Sequence, residues 1–323
     1  MKRVLIISLM FLLLFAASVT AETMTVNVAS VFPPDSVADK ALVKFKELVE
    51  ERSSGQIEIL LHSSGSMGNE VQIFGMLSQG SIEYGVVGGG EISYYYPEYY
   101  IFTAPYLLTS QDLFWKFWKG PGKEIDELME KERGVRMVGL IFRGAEYLTS
   151  NKPIRSVADM KGLKLRMYSV KHTIKAWESL GAIVSQIEFS ELYLALKTGI
   201  VDAQVNPPET ILSYKFYEAQ KYLIATKAIH WGIRIESSVK WWNTLNKDDQ
   251  TLLTKAMDES VAYANTITKD GDDKYVKKLQ ELGMILIEVD NDAFKQAMLP
   301  ALEKIVKEEA NPVFYEKMME ALQ

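Results

Sequence analysis

The chain has 323 residues, 48% of them hydrophobic and 24% charged, with 36 Lys and Arg against 42 Asp and Glu, a formal net charge of −6 and no cysteine. This is an ordinary globular composition on a chain long enough for two domains. It excludes disulfides, a thiol nucleophile and a lipid anchor on an N-terminal cysteine, and the lack of any basic block argues against nucleic acid as a partner.

The chain opens with Lys2 and Arg3, then an apolar run from Val4 to Ala17 broken only by Ser8, then Val19-Thr20-Ala21 with small residues at the two positions a signal peptidase reads. The run is too short to span a bilayer, which takes roughly 20 residues. A cleavable signal peptide over residues 1–21 is expected, with the mature chain starting at Glu22 and exported to the periplasm. No later stretch is long and apolar enough to insert in a membrane.

Met24, Val26 and Val28 alternate with polar residues as a first strand, and Ser36 caps a helix bearing Val37, Ala41, Leu42, Phe45, Leu48 and Val49, closed by Gly55. Ile57, Ile59 and Leu61 form a second strand. A helix from about Asn69 to Gln79 stops at Gly80, and Ile82 to Val87 forms a third strand. This order predicts a parallel sheet covered by helices. The grammar returns with a strand from Leu163 to Tyr168, a helix from His172 to Leu180 and a strand from Ala182 to Ser185. Then come a helix capped by Ser190 and ended by Gly199, a strand from Ile200 to Gln204, and a helix opened by Pro207-Pro208. Asp248 to about Leu282 reads as a long amphipathic helical region, with Gly271 as a kink or break.

Catalytic signatures are missing. The three histidines, His62, His172 and His230, do not pair at metal-binding spacing, and there is no nucleophile elbow and no phosphate loop. No catalytic residue, metal or cofactor is expected, although carboxylates that meet only in space leave an enzymatic role open. Gly88-Gly89-Gly90 follows a strand and is either an anion cradle or a plain tight turn.

The segment from Asn151 to Pro207 contains TSNKPI just at its start, KGLKLRM, and EFSELYLALKTGIVDAQVNP. It resembles the substrate-binding proteins of TRAP (tripartite ATP-independent periplasmic) transporters, the family typified by C4-dicarboxylate receptors. EERSSGQIEI, SSGSMGNE, Tyr96-Pro97-Glu98 and Ala104-Pro105-Tyr106 extend the likeness over the whole mature chain. The resemblance implies an α/β, two-domain hinged Venus-flytrap fold with a long helix spanning both domains. One domain would hold residues 22–145 plus about 232–272, the other 146–231 plus about 273–323, with the ligand cleft between them. It further implies capture of a small carboxylate for integral membrane TRAP permease subunits driven by an ion gradient. A receptor for another transporter type, such as an ABC importer, a ligand sensor and a periplasmic enzyme are the alternative readings.

Carried over from the family, Arg166 binds the solute carboxylate. It stands opposite Leu163, Leu165 and Met167 on its strand, and a guanidinium fork matches a carboxylate with two parallel hydrogen bonds. Asn206 matches a ligand-contacting asparagine, or else caps the helix begun by Pro207-Pro208. Phe189 matches a pocket aromatic, or else staples the helix behind it. Ser169 and Trp231 are lesser candidates, Trp231 with core packing as its equal alternative. Tyr94 to Tyr96, Tyr99, Tyr100 and Tyr106 read as domain core and cleft rim, and Glu191 and Tyr193 as structural.

Two positions depart from the family. Glu146 stands where many members carry a second arginine, and Arg143 is nearby but out of register for the cleft. Gly88 stands where sialic-acid-binding members carry a glutamate. An anion in place of a cation disfavours a second carboxylate. The expected solute is therefore a monocarboxylate with hydroxyls or an amine: a sugar acid, a hydroxy acid or an amino-acid-like solute.

Overall fold

The computed structural model describes residues 23–269 and 271–323, so the signal peptide read over residues 1–21 lies outside the described residues. Strand β1 (Met24–Ser30) leads into α1 (Val37–Arg52), whose N-cap Ser36 accepts from the Asp39 N–H and whose apolar face from Val37 to Val49 is buried. After β2 (Ile57–His62), α2 (Glu70–Gln79) starts with an Asn69–Gln72 capping box and ends at Gly80 with φ of 75°. Strand β3 (Tyr84–Val87) follows, shorter than expected because Ile82 and Glu83 belong to the bend before it. Helices α3 (Gly90–Tyr95), α4 (Gln111–Lys119) and α5 (Gly122–Arg133) precede the long strand β4 (Val135–Ala145).

The second layer contains β5 (Tyr147–Ser150), β6 (Lys164–Met167), α6 (Lys171–Glu178), β7 (Ile183–Gln186), α7 (Leu192–Lys197), β8 (Ala203–Asn206), α8 (Pro208–Ser213) and β9 (Tyr222–Ile224). The expected Ser190 cap is corrected. Phe189–Glu191 form a tight 3-10 turn whose Phe189 carbonyl accepts from the Leu192 N–H, so Ser190 lies inside a helical turn instead of ahead of one. The strand expected from Ile200 starts at Ala203, because residues 200–202 complete the turn behind Gly199.

Strand β10 (His230–Ser238) returns to the first layer, followed by α9 (Val239–Trp242) and the 22-residue α10 (Lys247–Thr268). The long helical region breaks around Gly271, which has φ of 71°, and resumes as α11 (Asp273–Glu281). Strand β11 (Ile285–Ile287), α12 (Asn291–Glu309) and α13 (Pro312–Leu322) complete the chain.

Two sheets result, with strand orders β2-β1-β3-β10-β4 and β11-β9-β5-β8-β6-β7. In the first, β1 runs parallel to β2 and β3, while β10 is antiparallel to β3 and β4. In the second, β6 is parallel to β7 and β8, and β5 is antiparallel to β8 and β9. Helix α10 covers α1 and β4 of the first layer, whereas α11 packs on α8 and β11 of the second. The chain crosses between sheets at Glu146, the single residue between β4 and β5, and again between β9 and β10. The Glu146 N–H donates to the Ile229 carbonyl at 2.8 Å, which ties these two crossings together.

The first layer carries an ionic cluster around the buried Arg234, with Asp126 at its half-buried edge. Arg234 on β10 is 1% exposed and meets Asp126 at 2.8 Å, Glu236 at 3.0 Å and Glu91 at 3.5 Å, with its guanidinium 4.8 Å from the Trp118 ring centre. Burial, then the neighbouring Glu236, pushes the Glu91 carboxyl well above the usual range. Glu91 begins the helix behind Gly88-Gly89-Gly90, so this cluster underlies that loop. Replacing Arg234 by Met should cost about 3–5 kcal/mol of stability, because it leaves Glu236 and Asp126 without their cation. Urea unfolding checks this, and a loss below about 1 kcal/mol would contradict it.

Candidate functional site

The C-terminal ends of β3, β6 and β8 and the end of β4 bring most of the expected site residues together, where open α/β sheets bind ligands. Arg166 on β6 is 3% exposed. Its neighbours Leu165 and Met167 go to the core, so strand alternation sends Arg166 to the other face. Among the described residues its one hydrogen bond runs from Nε to the Ile187 carbonyl, 2.8 Å, and no carboxylate pairs with it. Burial lowers its pKa to about 10. Phe189 stacks below, its ring centre 5.7 Å from the guanidinium, and also packs on Tyr214 at 4.5 Å. The staple reading does not hold, because Phe189 lies inside the 3-10 turn and no Ser190 cap follows it.

Asn206 ends β8. Its amide donates to Gln204 Oε1 at 2.5 Å and accepts from Arg143 Nη2 at 3.3 Å. Its side chain does not cap α8, where Pro207 holds the cap position.

Arg143 is the main correction. It is 8% exposed, its Nε donates to Thr210 Oγ1 at 2.8 Å, its guanidinium lies 5.1 Å from the Phe32 ring centre, and a Cβ built on Gly88 would be 3.9 Å from its Nη1. The cause is a β-bulge. Trp231 on β10 faces Gly144 and Gly232 faces Phe142, so Arg143 is an extra residue re-aimed by the bend, and Gly144 has φ of 100°. Counting alternate residues fails across a bulge. Thr210 in turn donates to Glu209 Oε2 at 3.2 Å, and after the opposing effect of burial Glu209 is the main charge holding Arg143 ionised.

Glu146 is 2% exposed, and its Oε1 accepts from the Trp231 indole N–H while Oε2 has no partner among the described residues. Burial raises its pKa from 4.5 to about 8, against the pull of Trp231, Arg143 and Arg166. Burial thus favours its neutral form, which weakens the like-charge repulsion expected from an anion at this position. Trp231 itself is 8% exposed and packs edge-on to Tyr168 at 5.4 Å, so it holds Glu146 and is packed in the core.

Gly88 and Gly90 do form an anion cradle, and the protein fills it. Their N–H groups donate to the two Glu70 carboxylate oxygens at 2.6 and 2.8 Å, and a Cβ at Gly88 would fall 2.9 Å from Glu70 Oε1. Ser169 is exposed, with its hydroxyl donating to Gln186 Oε1 at 2.8 Å. The Ser93 hydroxyl reaches its carbonyl at 3.3 Å from α3. Sequence reasoning missed Glu70, Phe32, Thr210 and Tyr214. Glu70 comes from α2, Phe32 from the loop after β1, and Thr210 and Tyr214 from α8 and its C-cap, so no spacing rule links all four to the expected residues. Of the tyrosines read as core and rim, Tyr96, Tyr100 and Tyr106 are buried and Tyr94 is 67% exposed.

A cavity of about 450 Å³ lies elsewhere, between α5, α10 and the start of β4, and none of the expected site residues lines it. Among the described residues no helix is long and apolar enough to cross a membrane.

The chain belongs to the bacterial extracellular solute-binding proteins of family 7, whose model matches residues 28–309. A solute-binding protein of Roseobacter denitrificans is 27% identical over 301 residues, 93% of this chain and 92% of its own. Its crystal structure with bound L-galactonate matches with a TM-score of 0.82 at 26% identity, over 93% of this chain and 99% of that one. The sialic acid-binding periplasmic protein SiaP of Vibrio cholerae is 29% identical over 300 residues, 92% of this chain and 93% of SiaP. The sugar acid binding protein DctPAm of Advenella mimigardefordensis, solved with galactonate, matches with a TM-score of 0.87 at 25% identity, over 93% of this chain and 98% of that one. The resemblance to TRAP receptors and the two-layer α/β fold are borne out.

The ionisation of Glu146 has a measurable sign. Between its ordinary value of 4.5 and about 8, the folded protein holds a proton that the unfolded chain has lost, so this group's contribution to stability falls as pH rises. Glu146→Gln, which mimics the protonated acid, should match the wild type below about pH 4. It should then gain on it by about 1.4 kcal/mol per pH unit towards pH 8. Urea unfolding at several pH values measures the gap, and a gap that stays constant would contradict a buried neutral acid.

Proposed function

We propose that this chain is the extracytoplasmic receptor of a TRAP transporter and that it captures one small hydroxylated carboxylate, a sugar acid or hydroxy acid, for the membrane permease subunits. The observation that carries this is the Arg166 guanidinium, buried and without a carboxylate partner. A buried cation without a counter-ion is costly, and an incoming carboxylate supplies that counter-ion. Its two Nη groups are the donors left for a bidentate contact.

Arg143 sits in the same cleft, which removes one ground for excluding a second carboxylate. Its charge, however, is engaged with Glu209 through Thr210. That leaves Arg166 as the open anion site, with Asn206, protonated Glu146 and Glu70 suited to hydroxyls. Relatives solved with galactonate fit this chemistry.

In this reading residues 22–145 with about 232–272, and 146–231 with about 273–323, are two lobes that close around the crossings at Glu146 and between β9 and β10. Contacts already join them. Glu209 Oε1 accepts from the Val37 N–H at 3.0 Å, and the Tyr214 hydroxyl donates to the Val31 carbonyl at 2.6 Å. The leader read over residues 1–21 delivers the protein to the periplasm. The protein carries its solute without turning it over, as its relatives' naming as binding proteins supports.

Calorimetry with D-galactonate, D-erythronate and succinate tests the reading. A sugar acid should bind more tightly than succinate. Arg166→Ala should lose about 2–5 kcal/mol of binding, at least about thirtyfold, while the unliganded melting transition stays cooperative. Tight succinate binding without sugar-acid binding would overturn the solute class, and unchanged affinity in Arg166→Ala would overturn the anchor.

A further inference from the structure

Strand β4 is the outer strand of its sheet, so beyond β10 its backbone groups have no neighbouring strand. Two side chains from the long helical region take that place. Asn265 on α10 accepts from the Phe142 N–H at 2.9 Å and donates to the Leu140 carbonyl at 3.0 Å, so its amide acts as a short piece of neighbouring strand. Asp272 Oδ2 accepts from the Ala145 N–H at 3.0 Å, and Oδ1 lies so close to Gly144 that a Cβ there would fall 2.0 Å away. Arg143 lies between these two anchors, at the point where the β4–β10 register slips.

Neither side chain serves the helix it belongs to. Aspartate is among the favoured helix N-caps, and Asp272 occupies the cap position of α11, yet its side chain makes no cap hydrogen bond and reaches the strand instead. Asparagine is a poor helix-interior residue, and Asn265 lies inside α10. A bulge leaves a residue unpaired and locally loosens the ladder. Without an outer fastening, nothing on that edge would fix where the Arg143 side chain emerges.

We propose that Asn265 and Asp272 are positioning residues for solute binding, which clamp the free edge of β4 on either side of Arg143 and hold its guanidinium against Asn206 and Thr210 in the cleft. The proposal rests on the reading of that cleft as the solute site. Because the clamp spans the break between α10 and α11 and the end of β4 before its crossing, it also couples the helix break to the geometry of the site.

Calorimetry with D-galactonate tests it on the full mature chain. Asn265→Ala and Asp272→Ala should each weaken binding about tenfold or more while unfolding stays cooperative. Asp272→Asn keeps an acceptor for the Ala145 N–H and should lose less than about threefold. On an Arg143→Ala background, Asp272→Ala should add less than about a further twofold, because its effect runs through Arg143. Should Asp272→Ala not fold, Asp272→Ser replaces it, with a hydroxyl too short to reach the strand and the same tenfold loss expected. Wild-type affinity in both alanine variants would overturn the clamp, as would a full multiplicative loss on the Arg143→Ala background. A wild-type protein that binds no sugar acid would instead overturn the solute reading.

Discussion

A guanidinium withdrawn from water with no carboxylate beside it is the constraint on which the cleft depends. Arg166 is held by its strand and by one bond from Nε to a backbone carbonyl, which fixes its orientation without neutralising it. Leaving such a cation buried is unfavourable, and the surrounding fold must hold it there. The buried cluster in the other layer makes the contrast. Arg234 is as deeply buried, but three carboxylates surround it, so it serves to hold β10 and the loop after β3 in place. Arg234 and Arg166 thus have opposite surroundings: the first is already paired, and the second has room for an external anion.

The rest of the site follows from how the chain passes between its two sheets. Glu146 is the whole of one crossing, and its burial there keeps it protonated and bonded to Trp231 at the start of the returning strand. The bulge that turns Arg143 into the cleft lies just before that crossing. In the proposed reading, the groups that would contact a solute and the groups on which the lobes would turn are therefore neighbours along the backbone. This is an economical way to link occupancy of the cleft to closure.

Much of the fold was legible because it follows local rules. The Ser36 cap, the Asn69–Gln72 box, the Gly80 stop and the break at Gly271 lie where turn chemistry and helical periodicity put them. Strand alternation set Arg166 on the face opposite Leu165 and Met167, but its role towards a carboxylate was read only from the family resemblance. Arg143 was not, because a bulge cancels alternation and only the unusual backbone of Gly144 betrays it. Ser190 looked like a cap until a tight turn placed it one step too late. The ionisation of Glu146 was not legible because burial at the crossing raises its pKa, a tertiary property that no neighbour in sequence reports. Glu70 in the glycine cradle was hidden for a similar reason, since the cradle was visible and its occupant came from another element.

A crystal structure of the mature protein with a sugar acid such as D-galactonate tests the central claim most directly. The solute carboxylate should lie across both Nη groups of Arg166 at hydrogen-bond distance, with its hydroxyls towards Asn206, Glu146 and Glu70. A carboxylate seated on Arg143, with Arg166 still bonded only to the Ile187 carbonyl, would contradict it.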